Sequence, residues 1–404
     1  MKVLLITNRV PFPADGGYAI VVYNTIEALL ALNCKITLFS LNTTKHYVDL
    51  KTINDPILSQ IKFHQFKIDN RIKAKDAFVN LFSKQSYNIS RFYQPDCASK
   101  IGHLVRTGNF DIIQFEGLQV TPYLDVIKLN SNAKLVYRAH NIEHQIWKRL
   151  TQQESFLARK IYLNLLSKRL KRFEYQVLNS FDALIAISFV DERFFKSLNF
   201  NVPIFTFPVA LNLNHYQNNY SLSKHKSVGY IGSMDWRPNI EGLNWFINKV
   251  WPSIEQLNSG ITFHLAGKNI PKQYQIMGTD TFVMEGRVEN AQEFISKQHV
   301  LIVPLLSGSG MRVKIIEAMA LGKCIIATSI AAEGINFEHN KNILIADKAD
   351  DFYKQILRCF THKDLINQIG EGAKKLVEKY HDNQKISREL LQVYEKLVGF
   401  KAEG

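Results

Sequence analysis

Short apolar segments alternate with longer amphipathic ones along the chain, and the alternation starts afresh near residue 226. Apolar runs bounded by turn residues are typical of buried strands, and apolar residues at helical spacing between them predict helices. The first series predicts strands at 3–7, 35–41, 111–115, 135–138 and 183–188. The second predicts strands at 228–231, 262–266, 281–285 and 300–304, with a helix at 242–257. Strands that alternate with helices favour parallel sheets, so we predict an α/β fold with two Rossmann-like sheets.

The length of the chain also indicates two domains. Its 404 residues exceed the roughly 250–300 that one core supports. Between the two series, residues 206–226 contain Pro208 and several asparagines, a composition typical of a linker. We therefore predict a first domain at 1–205 and a second at 206–381.

Composition is that of a globular protein with a positive charge. Hydrophobic residues make up 46% and charged residues 21%, which excludes a disordered chain. The formal net charge of +14 favours phosphate-bearing ligands, anionic membrane surfaces or polyanions. The four cysteines lack the spacing of a disulfide framework or a zinc cluster, so we expect a reducing, cytoplasmic compartment. We expect neither a signal peptide nor a membrane span, because no apolar run approaches the roughly 20 residues required.

A basic stretch at 158–175 interleaves six Lys and Arg residues with apolar ones at helical spacing. Such a helix can lie on anionic lipid. It can equally be a solvated helix whose apolar stripe covers the first domain. Both alternatives stay open.

The segment 304–322, PLLSGSGMRVKIIEAMALG, joins a predicted strand to a helix through a glycine loop. Gly308 and Gly310 allow the backbone to approach an anion, which the free N–H groups and dipole of the following helix would stabilise. Arg312 and Lys314 add positive charge, and Glu317 is placed to bind ribose hydroxyls. The loop thus predicts a phosphate cradle, although a Lys314–Glu317 helix pair would also account for two of these residues.

Two further glycine loops follow predicted strands. In the second domain Gly232 and Ser233 end a strand, and Arg237 precedes a helix. In the first domain Gly16 and Gly17 follow the first strand. The latter loop departs from GxGxxG, which disfavours a dinucleotide site. Both loops stand where ligands bind in parallel sheets, at the carboxyl ends of strands.

Polar residues also cluster after the predicted strand 135–138, in the sequence RAHNIEH. His140, Asn141 and Glu143 follow this strand, and Glu116 ends its predicted neighbour. Because the carboxyl ends of parallel strands share one edge of a sheet, we expect these side chains to contribute to one site. The spacing does not repeat HExxH, so we predict no metal site.

Taken together, these motifs resemble the GT-B glycosyltransferases, specifically the retaining, nucleotide-sugar-dependent family 4, glycosyltransferase group 1 type. The resemblance covers nearly the whole chain. It rests on the Gly16–Gly17 loop, the His140 loop, Ser188 at a strand end, the Gly232 loop and, most specifically, KIIEAMALGKCIIAT at 314–328. It implies two Rossmann-like domains facing each other across a deep cleft. The C-terminal helix, at 382–400, would cross back and pack on the first domain.

The resemblance also implies roles for individual residues. Glu317 matches the glutamate that binds the donor ribose, whereas Ser309 stands where the family has a second glutamate, so backbone N–H groups at Gly310 and Met311 would replace that carboxylate. Ser233 and Glu241 stand where the family has an Arg and a Lys that clamp the diphosphate. Arg312 and Lys314, or Arg237, would substitute for them. His140 would orient the transferred sugar, and Gly16–Gly17 would contact sugar or acceptor. The remaining donor-site residues would be Gly232 and Gly308, and the remaining acceptor-site residues Glu116, Asn141 and Glu143.

The function implied is transfer of a sugar from a nucleoside diphosphate sugar to a glycan or lipid-linked acceptor, with retention, in cell-surface polysaccharide or lipopolysaccharide synthesis. No cofactor or metal is expected, because N–H groups and cations suffice to stabilise the leaving diphosphate. A cytoplasmic protein with peripheral contact to an anionic inner membrane fits its charge. The alternatives are an epimerase or inverting transferase of GT-B fold, a donor-binding protein with weak catalysis, and a basic nucleic-acid-binding protein. No nucleic-acid-binding module supports the last.

Overall fold

The computed structural model describes residues 1–83, 85–217, 221–275, 278–308, 310–362 and 364–399. The chain divides into two compact units. Unit 1 comprises Met1–Ala210 together with the chain from Asn383 onward, and unit 2 comprises Leu211–Asp382. The division at 210 and 211 falls inside the segment that composition assigns to the linker, five residues beyond the predicted boundary. Among the described residues, none of the helices combines the length and apolarity that crossing a bilayer requires.

Unit 1 contains a seven-stranded parallel sheet in the order β3-β2-β1-β4-β5-β6-β7. The strands are β1 (Lys2–Thr7), β2 (Lys35–Thr43), β3 (Lys62–Ile68), β4 (Ile112–Glu116), β5 (Lys134–Ala139), β6 (Ala183–Ala186) and β7 (Ile204–Thr206). The helices before residue 200 are α1 (Gly17–Ala31), α2 (Ala74–Leu81), α3 (Tyr87–Ser90), α4 (Pro95–Gly108), α5 (Leu124–Asn130), α6 (Glu143–Gln153), α7 (Leu157–Leu178) and α8 (Phe189–Lys196). Most residues of the central strands are apolar on both faces because each face is covered by a core, and Gln114 and Glu116 of β4 are exceptions.

Unit 2 contains a six-stranded parallel sheet in the order β10-β9-β8-β11-β12-β13. Its strands are β8 (Lys226–Ile231), β9 (Ile261–Ala266), β10 (Phe282–Gly286), β11 (Val300–Val303), β12 (Cys324–Ala327) and β13 (Leu344–Ile345). Its helices are α9 (Arg237–Lys249), α10 (Trp251–Glu255), α11 (Lys272–Gln275), α12 (Ala291–Lys297), α13 (Val313–Ala320), α14 (Ala349–Thr361) and α15 (Leu365–Tyr380). The α/β class with two parallel sheets is therefore confirmed.

The C-terminal helix, α16 (Asn383–Val398), belongs to unit 1. Its Leu390 and Tyr394 are buried in the core that also holds residues of β1 and α1. At its start, Nδ2 of Asn383 donates to the carbonyl oxygen of Asn24 on α1 over 3.0 Å. Unit 1 thus contains residues from both ends of the chain.

Several element bounds differ from their sequence-based predictions. The helix predicted at 242–257 begins at Arg237 and is interrupted at Val250, so that α9 and α10 are separate. Pro238 occupies the first turn of α9, where a missing N–H is tolerated. The strand predicted at 183–188 ends at Ala186, because the Ser188 side chain accepts a hydrogen bond from the Asp191 N–H at the start of α8. The edge strand β3 has mixed polar and apolar residues, and no period in the sequence reveals it.

Candidate functional site

In each unit the polar loops lie at the carboxyl ends of parallel strands, and the two units are described in turn. In unit 1 the ends of β1, β4 and β5 are neighbours in the sheet. The register pairs Thr7 with Glu116 and Glu116 with Arg138. This adjacency brings together Glu116 and His140, which the sequence places 24 residues apart.

Glu116 is fully buried and surrounded by polar partners. Its Oε2 lies 2.7 Å from Nε2 of His140, and its Oε1 accepts a 2.5 Å hydrogen bond from Nε2 of Gln114. Nη1 of Arg138 lies 3.5 Å from the same Oε1 and also donates to Oγ1 of Thr25 over 2.8 Å. A buried charge needs such a set of partners, since its transfer out of water costs several kcal/mol or more.

These contacts determine how Glu116 and His140 are protonated. Burial by itself raises the pKa of Glu116, but Arg138, His140 and Gln114 outweigh it and hold that pKa below its usual range. Burial lowers the pKa of His140 and outweighs the opposing effect of Glu116. At neutral pH the pair therefore consists of a carboxylate and a neutral imidazole.

Tyr18, in the first turn of α1, packs over the His140 ring with centroids 4.6 Å apart. Its hydroxyl accepts a hydrogen bond from the N–H of Asn8 and donates one to the carbonyl oxygen of Glu116, each over 3.1 Å. Gly16 precedes α1 with an extended backbone, and a Cβ at this position would meet no atom within 4 Å. The loop therefore leaves open space at Gly16, two residues before Tyr18.

The predicted residues Asn141 and Glu143 follow His140 at the start of α6. Asn141 is half-buried. Glu174 of α7 accepts hydrogen bonds from the N–H groups of Glu143 and His144, both over 3.2 Å, and from Nδ1 of His144 over 2.7 Å. Burial, followed by the charge of Glu174, raises the pKa of Glu143 to about 7. His144 thus joins a helix-capping contact, and no group of three metal-ligating side chains occurs among the described residues.

In unit 2 the loop after β8 abuts the loop after β9. A Cβ on Gly267 would lie 1.8 Å from the carbonyl oxygen of Gly232, so only glycine fits there. Nδ2 of Asn239 donates to the carbonyl oxygen of Ser233 over 2.8 Å and closes the loop onto α9. The predicted phosphate ligand Arg237 instead forms an exposed pair with Glu241 at 2.6 Å.

The loop 304–312 depends on glycines with positive φ, Gly308 at 121° and Gly310 at 80°. A Cβ on Gly308 would lie 2.4 Å from Nη2 of Arg312. The Arg312 guanidinium lies 4.8 Å from the centre of the Trp236 ring, which belongs to the loop after β8. The two glycine loops of unit 2 are thus in contact. Ser309 lies outside the described residues.

Lys314, in the first turn of α13, reaches the end of β8. Its Nζ lies 3.4 Å from the carbonyl oxygen of Ile231 and 3.3 Å from Oδ1 of Asn239. Burial, followed by the nearby charge of Arg312, lowers the pKa of Lys314 to about 7. Two cationic side chains, an uncapped helix start and two glycine loops therefore converge at one sheet edge. Such a set suits an anionic ligand.

Glu317, one turn further along α13, accepts a 2.9 Å hydrogen bond from the hydroxyl of Tyr216. Burial raises its pKa to about 7. The described side-chain contacts of Lys314 and Glu317 go to different partners, so the alternative of a Lys314–Glu317 helix pair is wrong. Met311, within the loop 304–312, is buried.

Sequence reasoning missed several residues of these two clusters. Tyr216 falls in a segment interpreted as linker, and Trp236 lies between Gly232 and Arg237 without forming part of a motif. Asn239 and Gln114 carry no motif. Tyr18, next to Gly17, and Trp236, shortly after Gly232, are residues that their positions beside glycine loops could have revealed.

Comparison with known proteins bears on the fold and on unit 2. Residues 225–362 match the family model described as Glycosyl transferases group 1. An uncharacterized 44.6 kDa protein in the cps region of Klebsiella pneumoniae is 23% identical over 398 residues, covering 95% of this chain and 97% of that protein. Sucrose-phosphate synthase from Thermosynechococcus elongatus has a similar structure, with a TM-score of 0.73, 16% identity and coverage of 99% of this chain and 100% of that one.

Anabaena HepE in complex with UDP-glucose is also similar, with a TM-score of 0.64, 12% identity and coverage of 98% and 99%. The similar structures confirm the predicted GT-B fold. The match of residues 225–362 supports the predicted glycosyltransferase type, and the assignment to family 4 stays a prediction. The chain therefore has the GT-B fold, and its residues 225–362 are similar to the family described as Glycosyl transferases group 1.

Proposed function

We propose that this protein is a retaining glycosyltransferase of the family 4 type that moves a sugar from a nucleoside diphosphate sugar to a glycan or lipid-linked acceptor. The observation that carries the proposal is the convergence of Arg312, Lys314 and the start of α13 at the glycine loops of unit 2. The match of this segment to the group 1 model supports it. Because HepE is in complex with UDP and with UDP-glucose, we propose a UDP-sugar as donor.

In this proposal Lys314 and Arg312 bind the diphosphate, together with backbone N–H groups of the loops at Gly232 and at Gly310–Met311. Glu317 binds the ribose, and Tyr216 orients its carboxylate. His140, on unit 1, orients the transferred sugar. Gly16 and Gly17 leave room for sugar or acceptor, and Asn141 and Glu143 contact the acceptor.

Chemically, the bond between the anomeric carbon and the diphosphate oxygen breaks, and the acceptor oxygen attacks from the same face. The leaving phosphate oxygen takes the acceptor proton. Fixed N–H groups and cations stabilise the charge that develops on the diphosphate, which is the contribution a protein can make without reorganising at the moment of reaction. Arg312 supplies one positive charge, and the protonated form of Lys314 supplies a second beside the anionic diphosphate, so the proposed reaction needs no metal.

The acceptor belongs, in this proposal, to cell-surface polysaccharide or lipopolysaccharide synthesis. The relative from the cps region of K. pneumoniae supports this setting. The positive net charge supports an acceptor carried on an anionic membrane.

A surface of unit 1 supports peripheral contact with that membrane. Large apolar side chains are exposed on and around α2 and at the start of α7, with Phe82 82% and Leu157 70% exposed. The set is Ile72, Phe78, Val79, Phe82, Phe156, Leu157 and Ile161. Further along α7, Leu166 and Leu170 are buried, so the apolar stripe of the basic helix covers the core there. We call the exposed set the apolar surface.

The C-terminal end of α2 contacts the middle of α7. Arg169 of α7 donates to the carbonyl oxygens of Asn80 and Leu81, over 2.7 and 2.9 Å. Basic residues outnumber acidic ones around the apolar surface, namely Arg71, Lys73, Lys75, Arg159 and Lys160 against Asp69, Asp76 and Glu154. Exposed apolar side chains beside basic ones suit the interface of an anionic bilayer.

Flotation with vesicles of phosphatidylcholine and phosphatidylglycerol tests this contact. We expect the protein to float at low salt and the double variant Phe82→Glu, Leu157→Glu to stay at the bottom. Leu129→Glu is the matched control, because Leu129 is 84% exposed but lies on α5. If the wild-type protein does not bind the vesicles, the proposed membrane contact is wrong. The proposed glycosyl transfer is tested separately.

Thermal unfolding with UDP, GDP, ADP, CMP and their sugar conjugates, with and without EDTA, tests the donor site. Binding to the folded state raises the melting temperature by mass action. We expect UDP compounds to raise it without metal and Glu317→Ala to abolish the effect, whereas the exposed control Glu289→Ala keeps it. No shift with any nucleotide contradicts the proposal and favours a polyanion-binding protein. A shift without transfer to any acceptor favours a donor-binding protein with weak catalysis, and the anomeric configuration of a product distinguishes retention from inversion.

A further inference from the structure

A chain of buried hydrogen bonds connects the C-terminal helix to the imidazole of His140. The Tyr394 hydroxyl on α16 contacts Oε1 of Gln114, and Gln114 in turn contacts Glu116. Tyr394, Gln114 and Glu116 are all fully buried. Gln114 and Glu116 point to the same face of β4 because they are two residues apart, whereas Ile113 and Phe115 on the other face are apolar.

The direction of every hydrogen bond in this chain follows from its chemistry. The Glu116 carboxylate only accepts, so both Nε2 of Gln114 and Nε2 of His140 must donate to it. With its amide nitrogen facing Glu116, Gln114 presents its oxygen to Tyr394, and the Tyr394 hydroxyl must donate. His140 therefore carries its proton on Nε2.

The second nitrogen of His140 is then an acceptor. The charged and titratable groups that face His140 are Glu116 from β4, Arg138 from β5, Arg9 after β1 and Tyr18 from α1. Their combined effect with burial lowers the pKa of His140, so the ring is neutral at pH 7. Within the part of the chain that the structure describes, Nδ1 has no hydrogen-bond partner, and it presents a lone pair that suits a hydroxyl donor.

A core does not need this arrangement. An ionised carboxylate with no solvent contact costs more than apolar residues of the same volume would. A role for the carboxylate in selecting one tautomer and one ring orientation of a histidine in a site accounts for this free-energy cost of burial.

We propose that Glu116, oriented by Gln114 and by Tyr394 of α16, is a positioning residue that keeps His140 as the Nε2–H tautomer with Nδ1 facing a hydroxyl of the transferred sugar. Only the part of this inference that concerns the transferred sugar rests on the proposed function. The choice of tautomer is a property of unit 1 and can be measured without any substrate.

The variant Glu116→Gln should reverse the tautomer without changing the shape of the side chain. Gln114 and Arg138 both donate toward the Oε1 position, so the new amide oxygen will occupy it and the new amide nitrogen will face His140. That nitrogen donates to Nε2 of His140, and the proton moves to Nδ1. Tyr394→Phe is the matched control, because it removes the far end of the chain but keeps the carboxylate beside His140.

Long-range proton–nitrogen NMR of protein labelled with ¹⁵N-histidine measures the tautomer, and loss of a signal in His140→Ala assigns it. We expect Nε2–H in the wild type and in Tyr394→Phe, and Nδ1–H in Glu116→Gln. An Nδ1–H wild type overturns the proposal. So does a Glu116→Gln protein that folds and keeps Nε2–H. If Glu116→Gln does not fold, the wild-type and Tyr394→Phe spectra still decide.

Turnover with the UDP-sugar found by the thermal test gives the second readout. Glu116→Gln should lower kcat on the order of 10²-fold, the size expected for a misplaced orienting group, with a smaller change in KM for the donor. Tyr394→Phe should lower kcat by less than about tenfold, the value of one hydrogen bond. Wild-type turnover in Glu116→Gln overturns the positioning role. If the wild type itself transfers no sugar, the proposed function is wrong. In that case the NMR spectra alone test the tautomer of His140.

Discussion

The hydroxyl of Tyr216 donates a 2.9 Å hydrogen bond to Oε1 of Glu317. Tyr216 lies before β8 and directly after a short 3-10 helix at Leu213–His215, whereas Glu317 lies on α13. The contact gives a linker residue a place in the proposed ribose site. It also moderates the pKa of Glu317, which burial raises to about 7.

Glu317 should make stability depend on pH. A carboxyl whose pKa is raised on folding binds more protons in the folded state, so its contribution is full below its unfolded pKa of 4.5 and is lost as the pH rises toward 7. We expect the free energy of unfolding of the wild type, relative to Glu317→Gln, to fall by more than about 1 kcal/mol between about pH 5 and pH 8. Urea unfolding at both pH values measures it. A difference that does not change with pH contradicts the prediction.

We expect Lys314 to destabilise the folded protein and to be necessary for nucleotide binding. Burial and Arg312 lower its pKa to about 7, so the unfolded state binds more protons, and its destabilising effect is relieved as the pH rises from 7 toward 10.5. We expect Lys314→Met to be at least as stable as the wild type at pH 7 and to bind UDP about 10–100-fold more weakly, the loss of one charged hydrogen bond. Calorimetric titration measures the affinity.

The control for Lys314 is Lys323, a buried lysine elsewhere in unit 2. Nζ of Lys323 donates to the carbonyl oxygens of Ser296 and Gln298, over 2.5 and 3.2 Å. Burial lowers its pKa to about 8. Lys323→Met should leave UDP affinity unchanged. An equal loss of UDP affinity in both variants would mean that replacing either lysine weakens binding, whether or not it lies at the donor site.

A methyl group at Gly308 should displace Arg312. The position has a φ of 121°, and a Cβ would lie 2.4 Å from the guanidinium. We expect Gly308→Ala to lose about 1–3 kcal/mol of stability through backbone strain and to bind UDP more weakly. Gly16→Ala is the contrasting variant, since its Cβ would meet nothing within 4 Å and its stability should stay within about 0.5 kcal/mol of the wild type. Denaturant unfolding compares the two, and equal destabilisation contradicts the prediction.

The C-terminal helix should be part of the cooperative core of unit 1. Leu390 is 2% exposed and belongs to the core that also contains Val3 and Ile26. Leu390→Ala should lower the free energy of unfolding by about 2–5 kcal/mol, the cost of a large cavity. The exposed Leu129→Ala is the control and should change it little. A Leu390→Ala protein of wild-type stability would show that α16 is dispensable for unit 1.

Local patterns were enough to predict the α/β class and the glycine loops. Buried parallel strands are continuous apolar runs, and the turns that follow them need glycine. Both features can therefore be identified from a few neighbouring residues. The edge strand β3 and the break between α9 and α10 were not predicted. The residues of β3 are exposed or partly buried on both faces apart from Ile68, so they form neither a continuous apolar run nor a strict alternation. A helix break depends on what packs against the helix.

The chain by itself determined which residue types end the strands or follow them in the loops and helices, including Glu116, His140, Lys314 and Glu317. Their partners were decided only by the tertiary structure. Tyr394 reaches Gln114 across 280 residues, and Tyr216 reaches Glu317 across 101. Arg237, a candidate for the diphosphate from its position, is paired with Glu241 instead. Periodicity reports burial along a chain, but hydrogen-bond partners depend on sheet order and helix packing, which bring distant residues together.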